Sequence, residues 1–449
     1  MTQVWTIVAI LAPWSIGAAA GRWARLGWGA SLALGWFVGQ AIVMFGGYGA
    51  IAIRGGEAIR PVAIVLLLSG LVALVFHNRS MRRAPEVRPV TLHTRWTWFE
   101  LVLLVVVLVS MAIKGGAGAA SILWNPGRCE DALAYWLFKA KTATLLGHIP
   151  FSPDHPFYLG GSNPKYPIYP SMVAAWIPNV VGEWHEVLSV VPWLISFLML
   201  PVAAAFVLPF GTPRLIRIIA AYIVSSLPLA AIHVFRPGYV DLILASFLMC
   251  SVGLLHNCRE SAGGRPLFLA ILLLIAAACT KREGVMAVAA VLGLFVAYTA
   301  FDRLHGLGTW RATVKLVVAT VLMGGAVYFL MDLSDLSADA GRWTYHPEAW
   351  GALWRHAVEW SSFSFFFPLA FATAAGLLIF HRGTYAYLAI LHCLALMAYA
   401  ISPFLLTDNV RFALNDQTPS RLLLHIAPAM VVALANGAKR GNACPAPTY

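Results

Sequence analysis

Apolar runs of 17 or more residues recur from one end of this chain to the other. Each is long enough to cross about 30 Å of hydrocarbon as a helix. In lipid the backbone must satisfy its own hydrogen bonds, so the spanning segments are helices or strands of a closed barrel. A barrel would show segments of about ten residues with alternating polarity, and none is present. The runs fall near 3–20, 28–48, 61–77, 97–113, 187–208, 216–235, 238–256, 266–280, 284–301, 312–331, 361–380, 384–405 and 421–436. Only 11% of the 449 residues are charged, against about 25% in a soluble domain. The expected fold class is all-α: a polytopic helical membrane protein of about 13 transmembrane helices. The first run lacks a small-residue cleavage site and reads as a retained helix.

The segment 166–182, YPIYPSMVAAWIPNVVG, is apolar but carries Pro167, Pro170 and Pro178. About a dozen residues between breakers is too short to span, so it reads as an interfacial or re-entrant helix. With the basic loop 78–95 taken as cytoplasmic, this choice puts 17 Lys/Arg and four acids inside, and 14 Lys/Arg and 15 acids outside. The inner bases lie in short loops, where the positive-inside tendency is strongest. The N-terminus is then outside and the C-terminus inside. Outer loops fall at 114–186, 332–360 and 406–420. The expected organisation is additional N-terminal helices over 1–96, a membrane module over 97–437 and a cytoplasmic tail over 438–449.

The net charge of +12 follows membrane orientation and does not form a nucleic-acid patch. No nucleic-acid partner is expected. The six cysteines contain no C-x-x-C pair, so neither zinc nor a redox motif is indicated. Cys129 and Cys279 share the outer side, where a disulfide between them is chemically open.

Polar residues gather at the outer ends of the spans. CEDALAYWLFKAK (129–141) places Glu130 and Asp131 ahead of Lys139 and Lys141. As an α-helix it would align Asp131, Tyr135 and Lys139 on one face. Leu133, Trp136, Leu137 and Ala140 would form an apolar face for the membrane surface. Acids in a first turn and lysines further on also suit the helix dipole, which accounts for these charges without any function. It does not account for the others at the same depth. Those are Arg236 and Asp241 in RPGYVDLIL, Lys281, Arg282 and Glu283 in CTKREGV, Lys165 and Tyr166 in SNPKYPIYP, and Arg421 in SRLLLHIAP. Charges at membrane depth are costly, and are functional candidates by default. A carboxylate there can act as general base toward a hydroxyl. Several bases at one depth can bind phosphate and stabilise a leaving oxygen.

In order and spacing these motifs resemble the bacterial GT-C glycosyltransferases, relatives of protein O-mannosyltransferases and lipid A aminoarabinose transferases. EDALAYWLFKAK is similar to that family's acidic, aromatic-rich segment, and PKYPIYPSMVAAW to its proline-rich interfacial helix. The likeness covers about 125–430. It implies a GT-C fold with outer-face juxtamembrane helices in the bacterial cytoplasmic membrane. It implies a polyprenyl-phosphate-linked sugar donor, a glycan, lipid or protein acceptor, and inverting transfer. Asp131 would be the base, with Glu130 as its neighbouring alternative. Lys281, Arg421, Lys165, Arg236 and Arg282 would bind the donor phosphate. Tyr166, Asp241, Glu283, Tyr135 and His155 would line the substrate site, with Asp241 and Glu283 shaping the sugar pocket or holding the bases. No D-x-D is present at this place, and Asp332, Asp335 and Asp339 read as a solvated helix face. No metal or other cofactor is expected. A transporter or flippase of an anionic lipid is the rival reading. It calls for charges deep inside spans and for broken helices, whereas mid-span positions are nearly free of charge, with His392 and Cys393 the main polar exceptions. A non-catalytic assembly protein is a third reading, in which Asp131 is dispensable.

Overall fold

The computed structural model describes residues 1–83, 95–127, 129–150, 152, 154–157, 166–209, 211–260, 265–304, 344–358, 360–380, 384–415 and 418–438. All regular structure among them is helical. Eight of these helices are long and apolar enough to cross a membrane. They are α1 (Thr2–Trp23), α2 (Trp28–Arg54), α3 (Ile59–Arg83), α4 (Trp98–Trp124), α7 (Glu186–Phe206), α10 (Asp241–Glu260), α16 (Thr384–Leu406) and α18 (Pro419–Gly437). A further pair, α8 (Arg214–Ser226) and α9 (Pro228–Phe235), is long and apolar enough to cross only when taken together, and bends by 52° at the break between them. Between and around these lie α5 (Leu137–Leu146), α6 (Tyr169–Val181), α11 (Arg265–Thr280), α12 (Arg282–Leu304), α13 (Ala349–Val358), α14 (Trp360–Phe363), α15 (Phe366–Phe380) and α17 (Val410–Leu414). The expected span at 312–331 lies outside the described residues, as do Asp332, Asp335 and Asp339.

The segment 166–182 forms the short helix α6, and all 13 of its residues are buried. At 1.5 Å per residue it is about 20 Å long, too short to span as expected, and its whole surface packs against protein. Its walls are α1, α2, α3, α5 and α7. A helix end inside the bundle needs partners for its last carbonyls, and Arg60 supplies them, donating to Val180 O at 2.9 Å and Val181 O at 2.7 Å. Pro13 cannot donate to the Ala9 carbonyl one turn back in α1. Trp176 of α6 fills that vacancy, its Nε1–H donating to Ala9 O at 2.8 Å. The first three spans thus pack on α6 as well as on one another. Glycines bring α1 and α2 together: a Cβ on Gly39 would run into the Pro13 carbonyl, the close approach small residues allow in membranes.

The fourth span runs to Trp124, well past the expected end at 113. Lys114 therefore lies inside α4, not in a loop. Its Nζ donates to Ser225 O at 2.6 Å, at the break between α8 and α9. Seven residues on, Ser121 Oγ donates to Phe235 O at 2.9 Å, at the far end of α9. One helix thus binds the end of α8 at the break and the far end of α9. The expectation that mid-span positions lack charge fails at Lys114, because Gly115 and Gly118, read as loop, continue the helix and pack against Leu198 and Val234.

Candidate functional site

At Ala132–Trp136 the regular helix gives way to a π-turn. It adds a residue to the turn and changes which side chains share a face. Asp131 and Lys139 do not lie together. Asp131 Oδ2 is 2.8 Å from Arg421 Nη2. Lys139 turns inward, is 2% exposed and donates to Tyr166 O at 2.6 Å. Trp136, Leu137 and Ala140 are buried in the protein, and of the expected membrane-facing set only Leu133 is exposed. The π-turn, which periodicity does not reveal, accounts for these differences.

Arg421 stands in the first turn of α18 and joins two carboxylates. Its Nη2 reaches Asp131 on one side and Asp241 Oδ2, at 2.7 Å, on the other. Its Nε donates to the same Asp241 oxygen at 2.9 Å, and its guanidinium lies 4.5 Å above the Tyr239 ring. Nη1 meets no partner among the described residues. The Arg421 side chain is 22% exposed and that of Asp131 28%, so the pair opens outward.

Asp241 is the buried centre of the cluster, with a fully buried side chain at the start of α10. Its Oδ1 accepts from Lys281 Nζ at 3.2 Å and from His425 Nε2 at 2.7 Å. Lys281 also faces Glu283 at 3.4 Å. Burial opposes the charge on Lys281, but the carboxylates of Asp241 and Glu283 outweigh it and hold its pKa above the ordinary value. Behind His425, the Tyr399 hydroxyl lies 2.9 Å from Nδ1. Tyr166 meets the Tyr135 ring at a tilt and the Trp136 ring edge-on, with centroids 5.0 and 5.2 Å away. Burial raises its hydroxyl pKa.

Sequence segments up to 290 residues apart thus bring together Asp131, Arg421, Asp241, Lys281, Glu283, Tyr166 and Tyr135. Lys281 is 3% exposed and engaged by two acids, so it is oriented toward carboxylates and away from solvent. Of the adjacent acids, Asp131 meets Arg421, whereas Glu130 is exposed. Arg236 is exposed at the end of α9, and Arg282 begins α12 half-buried. His155 lies apart in the 147–157 loop, its Nδ1 accepting from the Phe157 N–H at 3.0 Å. Lys165 lies outside the described residues. Cys129 and Cys279 are buried free thiols, so the open disulfide is not formed. Among the described residues no group of three His, Cys, Asp or Glu could hold a metal ion.

Sequence reasoning did not single out His425, His233, Tyr399 or Tyr239. His425 had a signal: it is four residues after Arg421, on the same helix face. His233 and Tyr399 had none, as lone polar residues in apolar runs. Compared with protein-family models, curated proteins and solved structures, the chain matches none.

Proposed function

We propose that this protein is a membrane glycosyltransferase of the GT-C kind. It would transfer a sugar from a polyprenyl-phosphate-linked donor to an acceptor hydroxyl at the outer face of the bacterial cytoplasmic membrane, with inversion. One observation carries the reading: Asp131 and Arg421, 290 residues apart, form a 2.8 Å pair that is open on one side and anchored below on buried Asp241. In this reading Asp131 takes the proton from the acceptor hydroxyl. The unpartnered Nη1 of Arg421 binds the leaving phosphate oxygen and stabilises the charge that develops on it. Asp241 anchors Arg421, and Lys281, itself paired with Glu283, binds the other oxygen of Asp241. Tyr166 and Tyr135 offer aromatic surface to the sugar.

The test is glycosyl transfer from a panel of polyprenyl-phosphate sugars by purified protein in nanodiscs. Wild-type turnover is expected to fall by about a hundredfold or more in Asp131→Asn, the scale of a lost general base, with donor binding retained. Loss in Glu130→Gln alone would move the base by one residue. A transporter or flippase of an anionic lipid is the second reading, and Lys114 inside α4 at the α8–α9 break favours it. Binding of a polyprenyl phosphate without turnover, equal in both variants, would select that reading.

A further inference from the structure

One histidine beneath the cluster has incomplete hydrogen bonding. The His233 side chain, on α9, is 3% exposed. Its Nδ1 lies 2.8 Å from the Leu229 carbonyl oxygen. A carbonyl can only accept, so Nδ1 carries the proton. The neutral ring then has a bare lone pair on Nε2. That atom is buried with no hydrogen-bond partner among the described residues and points at Asp241 Oδ2 from 3.6 Å, acceptor against acceptor. His425 is the opposite case. Its Nε2 must donate to Asp241 Oδ1, which leaves Nδ1 to accept the Tyr399 O–H. The neutral His425 ring is satisfied at both nitrogens, so only His233 gains a bond by taking up a proton.

The oxygen that an N–H on Nε2 would bind is the one that holds Arg421. Asp241 Oδ2 accepts both the Nε and Nη2 contacts of the guanidinium. An imidazolium on that oxygen shares its charge and repels the arginine. Nη2 already has a second carboxylate at 2.8 Å in Asp131. With neutral histidines, the acids Asp131, Asp241 and Glu283 outnumber the bases Arg421 and Lys281 by one. A proton on His233 removes that excess negative charge, which otherwise opposes an anionic ligand.

We propose that His233 is a positioning residue that couples proton uptake to release of Arg421 from Asp241, turning the guanidinium toward Asp131 and a phosphate group at the open edge. The phosphate rests on the reading above, but the coupling between His233 and Arg421 does not. The groups facing His233 are few. Asp241 comes from α10, Tyr239 lies with its ring 5.3 Å away, and Arg421 and His425 come from α18. On α4, Lys114 sits at the other end of α9, on the Ser225 carbonyl. Glu186, the ionisable residue of α7, is paired with Lys141, and α14 (WSSF) has no ionisable side chain.

The experiment uses the full chain in nanodiscs as wild type, His233→Asn and His233→Gln, with His425→Gln for comparison. The asparagine amide takes the place of Nδ1, the glutamine amide reaches toward Nε2, and neither titrates. Carbodiimide labelling of Asp131 is read by mass spectrometry from about pH 8 to about pH 5.5, the histidine range. Binding of farnesyl phosphate and of inorganic phosphate is measured over the same range. Acidification is expected to shield Asp131 more in wild type than in the His233 variants. It is also expected to raise phosphate affinity relative to them by about tenfold, the scale of one charge nearby. The reagents' own titrations are common to all four proteins. Identical pH profiles in wild type and whichever His233 variants fold would overturn the proposal. So would loss of the pH response in His425→Gln alone. A labelling shift without binding of either phosphate keeps the His233 coupling and rejects the phosphate-dependent function. Farnesyl phosphate bound more tightly than inorganic phosphate identifies a lipid source, and equal binding identifies the free anion.

Discussion

Lys139 carries an ammonium inside the protein, held by the Tyr166 carbonyl. Burial lowers its pKa from 10.5 to about 8. Between these values the unfolded chain binds more protons than the folded one, so stability rises with pH across that window. Thermal unfolding in nanodiscs is therefore expected at a higher midpoint at pH 9.5 than at pH 7.5. The slope should shrink in Lys139→Met, whose side chain does not titrate; an unchanged slope would assign the effect to another group. At the residue scale, the sequence revealed residues that are expensive where they stand. Asp131, Asp241, Lys281, Glu283 and Arg421 were visible because charges next to apolar runs need a reason. His233 and Tyr399 were not, because one polar group in an apolar helix is also what an ordinary buried side chain looks like. Partners decide the difference, and partners come from other segments.

At the scale of elements, proline and hydropathy located α6, while its packing depended on groups far away in sequence: Trp176 against Ala9, and Arg60 against Val180 and Val181. The π-turn at Ala132–Trp136 stayed hidden because its extra residue leaves no compositional mark. The length of α4 was underestimated because KGGAGAA reads as loop by propensity, whereas in a membrane small residues permit close packing. Lys114 is the consequence. The break at Leu227–Pro228 frees carbonyls of α8, and Lys114 satisfies that of Ser225. Lys114→Met is expected to leave this carbonyl unpaired and to cost about 1–3 kcal/mol, measured by denaturant unfolding in mixed micelles. On the proposed function, glycosyl transfer by the folded fraction should persist, since Lys114 lies at the far end of α9 from Asp241. A stability change below about 0.5 kcal/mol, less than a typical net hydrogen bond, would mean that the carbonyl finds another donor.

At the scale of the molecule, α11 links the two faces. Arg265 at its start donates to Trp23 O, beside Arg22 at the end of α1. Thr280 at its end leads directly into Lys281 and the cluster. Arg22 and Arg265 therefore lie at one end of α11, and the cluster around Asp241 and Arg421 at the other. The positive-inside tendency predicts that the Arg22–Arg265 end faces the cytoplasm, and this is open to direct measurement. Glu130 and Arg265 are both exposed, one at each end, and Cys129, Cys250, Cys279 and Cys393 are buried, which limits background labelling. In a background with the native cysteines replaced by alanine, Glu130→Cys is expected to react with a membrane-impermeant maleimide on intact spheroplasts. Arg265→Cys should react only after permeabilisation. The reverse pattern would place Asp131 and Arg421 on the cytoplasmic side. A soluble activated sugar could then reach the site directly, and the case for a lipid-linked donor would lose its physical premise even if Asp131→Asn abolished activity.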